Sequence, residues 1–296
     1  AAWSGLIMTD SGGFQAYSLI RQNAKFGSLG DKGIIFYPEA SSRKLLLTPE
    51  KSIQLQMSYG SDILVCLDDC THVNASRAEQ EASVTRTLAW AARAKSSFLA
   101  QLRSRKWSEE ERPLIFAVIQ GGGELDLRRR CAEGLLEIGF DGFGFGGWPL
   151  DEDSRLLTDI LEYTRSLIPR EFPIHALGIG HPAGIAASYQ LGYEMFDCAL
   201  PTRDARHGRL FTWSKSDPIL SADGDWLKFR YINSEENFRD TGPISPDCDC
   251  ECCRDYAMAY LFHLYRMRDP GYMRLATKHN LRFMTRLIER LRAQNA

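Results

Sequence analysis

Apolar runs that end in acidic, polar or glycine residues alternate along this sequence with stretches of helical pattern. Continuous apolar runs of this kind are typical of parallel strands buried on both faces. Strands that alternate with helices predict an α/β fold with a parallel sheet, whose strand C-termini share one edge. We count about six strand–helix units, fewer than a complete (β/α)8 barrel contains. The apolar runs cover residues 6–8, 62–67, 114–119, 140–145, 174–178 and 195–196.

Helices are predicted between these runs from their end signals and their length. Thr48-Pro49-Glu50 starts one helix, since it combines an N-cap, a proline at the first helical position and an acid in the first turn. A long helix is expected from about residue 76 to residue 104, and another from 151 to 167. The stretch from Pro201 to Arg209 is polar and contains a glycine, so it predicts a loop.

Composition and charge narrow the class of protein. The 296 residues are 44% hydrophobic and 25% charged, which suits one large globular domain or two smaller ones. A formal net charge of −2 excludes a uniformly basic nucleic-acid binder but leaves room for a local basic patch. No apolar run approaches the roughly 20 residues of a membrane span, and no leader pattern is visible. We therefore expect a cytoplasmic protein with no membrane partner.

Three of the apolar runs are followed by an aspartate: Asp10, Asp68 and Asp197. At the C-terminal edge of a parallel sheet, such acids are candidates for catalysis. Asp197 also precedes the arginines Arg203 and Arg206. An acid before a basic loop suits a carboxylate nucleophile beside an anionic substrate. An ordinary strand followed by a solvated turn fits this pattern equally well.

The chain contains eight cysteines, and half of them crowd into six residues: Cys248, Cys250, Cys252 and Cys253. Neighbours this close cannot all pair with one another, so a metal site is favoured over a disulfide framework. The spacing Cys-x-Cys-x-x-Cys selects Cys248, Cys250 and Cys253 and leaves Cys252 aside. With an imidazole from a nearby helix, these thiolates predict a tetrahedral structural zinc site. The spacing leaves both His263 and His279 open as the fourth ligand.

Several short motifs occur in one order along the chain. They are Asp10-Ser-Gly-Gly-Phe-Gln15, Asp68-Asp-Cys70, Gln120-Gly-Gly, Gly146-Gly147, Met195-Phe-Asp-Cys198, Pro201-Thr-Arg203 and the cysteine run. Together they resemble the tRNA-guanine transglycosylase family, also called queuine tRNA-ribosyltransferases. The resemblance implies a (β/α)8 TIM-type barrel with a zinc-binding insertion near its C-terminal end. It also implies a pentosyltransferase of queuosine biosynthesis, which exchanges a guanine in tRNA, typically at the anticodon wobble position, for a 7-deazaguanine base.

The resemblance implies a role for each matching residue. Asp197 would be the nucleophile that attacks the anomeric carbon of the ribose and forms a covalent glycosyl intermediate. Asp10 would be the general acid and base, and Asp68 would accept hydrogen bonds from the guanine N–H groups. Gln120 and the Gly147 N–H would face the base carbonyl, and Leu177 and Gly178 would wall the pocket.

The same resemblance implies partners and a cofactor. Arg203 and Arg206 would meet the RNA around the target nucleotide, where arginine suits phosphates and base edges. His279 falls at the family's fourth zinc ligand, so the resemblance selects it over His263. Family members commonly dimerise around the zinc site, so a homodimer is expected there. The implied ligands are tRNA, a 7-deazaguanine base or guanine, and a structural Zn²⁺.

Departures from the family pattern leave the substrate open. The chain starts only nine residues before Asp10, so we expect it to lack the family's N-terminal segment and first barrel strand. On this interpretation residues 1–213 form the catalytic barrel portion, and residues 214–296 form the zinc insertion and the closing helices. Trp148 argues against a large 7-substituent, and Pro149-Leu150 resembles archaeal members that modify the tRNA D-loop. Two further hypotheses are base exchange on DNA and a non-catalytic tRNA-binding subunit.

Overall fold

The chain divides into two compact units, which span residues 1–177 and residues 178–296. The computed structural model describes residues 3–37, 44–72, 74–215, 220–221 and 223–294, with the main chain alone at 21, 22 and 24. No helix within these ranges is both long enough and apolar enough to cross a membrane. The division by role at residue 213 stays a prediction.

The first unit alternates strands with helices. Its strands are β1 (Met8–Thr9), β2 (Gly27–Gly30), β3 (Gly33–Phe36), β4 (Leu45–Leu47), β5 (Ile63–Val65), β6 (Leu114–Ile119), β7 (Gly142–Phe145) and β8 (Ile174–Ala176). Its helices are α1 (Gly13–Gln22), α2 (Pro49–Ser58), α3 (Arg77–Arg105), α4 (Leu125–Ile138) and α5 (Thr158–Ser166). Strands β2, β3 and β4 pair antiparallel in a small separate sheet.

The main sheet of this unit is parallel, as the apolar runs predict. Its strands are ordered β1-β5-β6-β7-β8, and each neighbouring pair runs in the same direction. Every residue of β5, β7 and β8 is buried, as expected for strands covered on both faces. The mixed α/β fold with a parallel sheet is therefore confirmed. A closed eight-stranded barrel stays a prediction.

Two helix starts follow the end signals in the sequence, and one does not. The Thr48 side chain caps α2, and Ser76 forms a capping box with Glu79 at the start of α3. The predicted helix over residues 151–167 is wrong in its first part, because α5 begins only at Thr158. Ser154 has a φ of 62°, which a right-handed helix cannot continue through, and residues 151–155 close into a turn.

The second unit packs around one long helix. Its strands are β9 (Met195–Phe196), β10 (Arg209–Trp213) and β11 (Leu227–Tyr231), and its helices are α6 (Pro182–Gln190), α7 (Leu200–Arg206), α8 (Glu251–Asp255), α9 (Met258–Arg266) and α10 (Pro270–Gln294). Strands β10 and β11 pair antiparallel, and α10 packs against both α7 and β10. Asn280 of α10 is fully buried and accepts a hydrogen bond from the Phe211 N–H at 3.0 Å. The buried amide therefore joins α10 to β10.

The predicted loop from Pro201 to Arg209 is wrong, because most of it is helix α7. Pro201 lies in the first turn, where its fixed φ suits a helix and its missing N–H costs no hydrogen bond. The Tyr272 hydroxyl donates to the Ala205 carbonyl, and the Asn280 amide donates to the Pro201 carbonyl, both at 3.0 Å. A seven-residue helix is unstable in isolation, so these contacts with α10 determine its conformation.

Candidate functional site

Each of the three predicted acids lies at or shortly beyond the C-terminal end of a strand, which is where α/β folds hold their functional groups. Asp10 follows β1 and is exposed, and Asp197 follows β9 and is exposed. Asp68 lies three residues after β5 and is half-buried. Burial and, to a smaller extent, the nearby charge of Asp10 together raise the pKa of Asp68 to about 7, against the opposing effect of a hydrogen bond from Gln120. Asp68 can therefore exchange a proton near neutral pH.

Gln120 lies directly beside Asp68. Its Nε2 donates to Asp68 Oδ2 at 2.6 Å, and its side chain is fully buried. Its Oε1 is also buried and accepts no hydrogen bond from any described residue. A buried amide oxygen without a donor is costly, so this atom is a candidate acceptor for a ligand N–H group. Asp68 and Gln120 together offer a carboxylate and a carbonyl oxygen on one side of a ligand.

Helix α3 holds the residue that follows Asp68. The Thr87 hydroxyl accepts a hydrogen bond from the Asp69 N–H at 3.1 Å, and the Ser83 hydroxyl donates to the Asp69 carbonyl at 2.5 Å. Arg86 forms an ion pair with the buried Asp69 carboxylate. Both main-chain groups and the side chain of Asp69 are thus bonded to one rigid helix. The Asp68 side chain projects from main chain that cannot easily move.

Two glycines, Gly146 and Gly147, follow β7 and lie next to the Gln120 side chain. Gly147 has a φ of 88°, and a Cβ added there would lie 3.5 Å from Gln120 Oε1. A Cβ on Gly146 would lie 2.4 Å from Gln120 Nε2, so only glycine fits beside the amide. Leu177 follows β8 in the first unit and contacts Gly144, where an added Cβ would lie 2.4 Å from Leu177 Cδ1. Leu177 is therefore a wall residue of this sheet end.

Exposed aromatic side chains stand beside these groups. Trp148 is 40% exposed and Phe14 is 45% exposed, and their ring centroids lie 6.4 Å apart. The His72 ring lies 5.9 Å from that of Trp148. Sequence reasoning identified Trp148 only as a steric block and overlooked Phe14 and His72. Their positions within four residues of Asp10 and Asp68 are the signal that would have found them.

In the second unit, Asp197 and Gly178 contact each other. The Gly178 N–H donates to Asp197 Oδ1 at 3.2 Å, and Gly178 has a φ of 75° that favours glycine. A backbone donor stabilises the ionised form of a carboxylate and orients it. Asp197 is thus held as an oriented, exposed carboxylate, which is the form that a nucleophile requires.

Helix α7 presents two of its arginines to solvent. Arg203 and Arg206 lie one turn apart in its last turn, and both are exposed. Arg209 differs, because it forms an ion pair with the buried carboxylate of Asp204 at 2.5 Å. Arg203 and Arg206 are therefore the arginines here that are suited to an external anion.

The cysteine run and α10 form a compact cluster of metal-ligating side chains. One ligand atom from each of Cys248, Cys250, Cys253 and His279 lies within 4.8 Å of all the others, and all four residues are buried. Hydrogen bonds from Cys248 and Cys253 lower the pKa of the Cys250 thiol, which favours the thiolate that binds metal. His279 Nε2 lies 2.8 Å from the Phe211 carbonyl, which leaves Nδ1 to face the sulfurs.

This cluster resolves the choice between the two histidines. His263 is exposed on α9 and is not part of the cluster, whereas His279 is buried with Nδ1 only 3.2 Å from Cys253 Sγ. Cys252 is fully buried but lies outside the group of four side chains, as its spacing predicts. Three thiols and one imidazole form the donor set that suits zinc.

Comparisons with known proteins cover almost the whole chain. A family model described as queuine tRNA-ribosyltransferase matches residues 1–294. The queuine tRNA-ribosyltransferase of Actinobacillus pleuropneumoniae serotype 3 is 37% identical over 291 residues, which are 98% of this chain and 69% of that protein. The enzymes of the same name from Lysinibacillus sphaericus and Solidesulfovibrio magneticus are each 37% identical over 290 residues, which are 98% of this chain and 69% and 71% of theirs.

Proposed function

Since the chain belongs to the queuine tRNA-ribosyltransferase family, we propose that it exchanges a guanine in tRNA for a 7-deazaguanine base. The observation that carries this proposal is the Asp68–Gln120 pair, with a carboxylate of raised pKa and a buried amide oxygen that lacks a donor. Such a pair suits the edge of a guanine-type base, which carries several N–H donors. We further propose the wobble position of the anticodon as the target, as the family resemblance implies.

Base recognition would rest on hydrogen bonds with complementary donors and acceptors. Asp68 would accept from the base N–H groups, and this would favour its ionised form and lower its pKa on binding. The resemblance places Gln120 and the Gly147 N–H at the base carbonyl, but Gln120 Nε2 already donates to Asp68, so we propose that Gln120 Oε1 accepts a further base N–H instead. The Gly147 N–H would donate to the base carbonyl. Leu177 and Gly178 would contact the base, and Trp148 would restrict the substituent at its 7-position.

The exchange itself would proceed by two displacements at one carbon. Asp197 would attack the anomeric carbon of the ribose, and the bond from that carbon to the guanine nitrogen would break. Asp10 would supply the proton that the leaving guanine requires. The incoming base would then lose a proton to Asp10 and displace Asp197, which restores both carboxyl groups to their starting states. The Gly178 N–H supports this role by orienting Asp197 before the attack.

Other groups would bind rather than react. Arg203 and Arg206 would contact the RNA backbone, because exposed arginines suit phosphates. Cys248, Cys250, Cys253 and His279 would hold a Zn²⁺ that stabilises the fold of this unit. A homodimer through this region and a cytoplasmic location are further proposals that rest on the family resemblance.

The proposal is tested by incorporation of labelled guanine into unmodified tRNA. The wild type should incorporate label. In Asp197→Asn the rate of incorporation should fall by at least about 1,000-fold, because an amide is a poor nucleophile. Glu194→Gln, an exposed acid three residues earlier, is the matched control and should retain activity. Full activity in Asp197→Asn would exclude the assigned nucleophile. No incorporation by folded wild type would contradict the exchange reaction on tRNA.

A further inference from the structure

Arg128 of α4 is a buried arginine at the ends of two strands of the main sheet. It is only 1% exposed, and three hydrogen bonds connect its guanidinium to main-chain carbonyls. Its Nε donates to the Gly122 carbonyl at 2.7 Å, and its Nη1 donates to the Ile119 carbonyl at 3.1 Å. Burying a guanidinium is costly, so a cation at this position needs a reason beyond packing.

The third hydrogen bond determines the orientation of a peptide group. Arg128 Nη2 donates to the Gly146 carbonyl at 3.1 Å. No peptide bond in the described ranges is cis, and in a trans peptide the C=O and N–H groups point in opposite directions. The Gly147 N–H therefore points away from the guanidinium. Within the described part of the chain this N–H donates no hydrogen bond, so it is available to a ligand.

The same guanidinium holds the main chain on both sides of Gln120. The Ile119 and Gly122 carbonyls bracket that residue, and both accept from Arg128. The Gln120 N–H also points to α4, where it donates to Cys131 Sγ at 3.3 Å. One turn of α4 thus fixes the main chain from which the Gln120 amide projects.

We infer that Arg128 is a positioning residue for base recognition. It orients the Gly147 N–H toward the base carbonyl and holds in place the main chain of residues 119–122, from which the Gln120 side chain projects. This inference rests on the proposed function. The Phe145 ring, whose centroid lies 4.2 Å from the guanidinium carbon, keeps the cation in place from one face. Arginine is required because three separate carbonyls need a planar group with several donors, which a lysine ammonium cannot replace.

The test compares guanine with 6-thioguanine, which keeps the N–H groups but replaces the carbonyl oxygen with a weaker acceptor. Each base competes with labelled guanine for incorporation, and the ratio of the two inhibition constants is measured. One hydrogen bond of about 1.4 kcal/mol predicts a wild-type preference for guanine of about tenfold. In Arg128→Lys the preference should fall to about twofold or less, because the Gly147 N–H is no longer directed. Arg130→Lys, an exposed arginine on the same helix, should keep the wild-type ratio.

If Arg128 had a merely structural role, Arg128→Lys would weaken the binding of both bases equally and leave the ratio of inhibition constants unchanged. That result would overturn the inference. A wild-type ratio near one would also overturn it. If Arg128→Lys does not fold, Phe145→Leu serves instead, since it keeps an apolar core side chain but removes the ring that holds the guanidinium; the ratio should fall by at least about twofold. An unchanged ratio in Phe145→Leu would then count against the inference. Wild type that neither binds nor exchanges guanine would contradict the proposed function itself, and the inference with it.

Discussion

The protonation of Asp68 depends on its surroundings in the fold. Burial and the charge of Asp10 raise its pKa to about 7, from 3.8 in an ordinary aspartate. Between these two values the folded chain holds a proton that the unfolded chain has released. The free energy of unfolding therefore falls as the pH rises through this window. Above about pH 7 the full cost of holding the ionised carboxylate in the folded chain is present.

Asp68→Asn should remove this pH dependence. The variant should gain stability relative to wild type as the pH rises from 4 to 8, by about 1–3 kcal/mol in total, because it has no charge to bury. Urea unfolding of both proteins at pH 4 and pH 8 measures the difference. The control is Asp159→Asn, which replaces an exposed acid on α5. It should change the free energy of unfolding by the same amount at pH 4 and at pH 8. If Asp68→Asn also changed the free energy of unfolding by the same amount at both pH values, Asp68 would not titrate in this window.

At the scale of elements, the cysteine turn, residues 245–255, depends on α10. Its own helix α8 has five residues, too few to be stable alone. Arg282 of α10 forms an ion pair with Asp249 at 2.6 Å, and Arg274 forms one with Glu251 at 2.6 Å. Each pair joins an exposed side chain to a half-buried one at the surface, where an ion pair contributes little individually. The metal cluster, with His279 supplied by α10, is therefore the main link that we expect to order this turn.

Cys253→Ser should remove the bound metal. Zinc content should fall from about one ion per chain to near zero, because a hydroxyl does not replace a thiolate ligand. Amide hydrogen exchange within residues 245–255 should rise by at least about tenfold, since metal binding is linked to local folding. Cys252→Ala, a buried neighbour outside the cluster, should retain its zinc. Equal zinc content in the Cys253→Ser protein would contradict the assigned ligand set.

At the scale of the whole molecule, net charge gives no general attraction to nucleic acid. The chain has 36 basic and 38 acidic residues, so any affinity for RNA must come from local groups such as Arg203 and Arg206. Local contacts can select a nucleotide that is already unpaired. A base in a duplex must first be unstacked and unpaired, which costs a few kcal/mol.

Unlabelled tRNA should therefore compete with the guanine-incorporation reaction far better than duplex DNA. We expect the concentration of duplex DNA for half inhibition to exceed that of tRNA by at least about 100-fold, from the cost of extruding a paired base. A DNA hairpin with the anticodon-loop sequence is the control that separates pairing from the presence of the 2′-hydroxyl. Equal competition by duplex DNA would favour base exchange on DNA over exchange on tRNA.

Much of the first unit is determined by local sequence. The apolar runs at 62–67 and 114–119 form strands because each is buried on both faces, and this requires continuous apolar residues wherever the neighbours lie. The starts of α2 and α3 are encoded in caps that involve residues three apart. The three clustered cysteines could be singled out for the same reason, because they lie within six residues.

Other features depend on contacts between residues that lie far apart in the chain, and these were decided only by the tertiary structure. Helix α7 has a loop-like sequence but folds as a helix, because Ala205 and Pro201 bond to residues of α10 that lie 67 and 79 positions away. Spacing alone could not choose His279 over His263, since the choice depends on which helix face meets the sulfurs. Arg128 carries no motif at all, and its importance comes from three carbonyls brought together where β6 and β7 end side by side. Local patterns encode burial and caps, whereas long-range hydrogen bonds depend on packing that no short stretch of sequence contains.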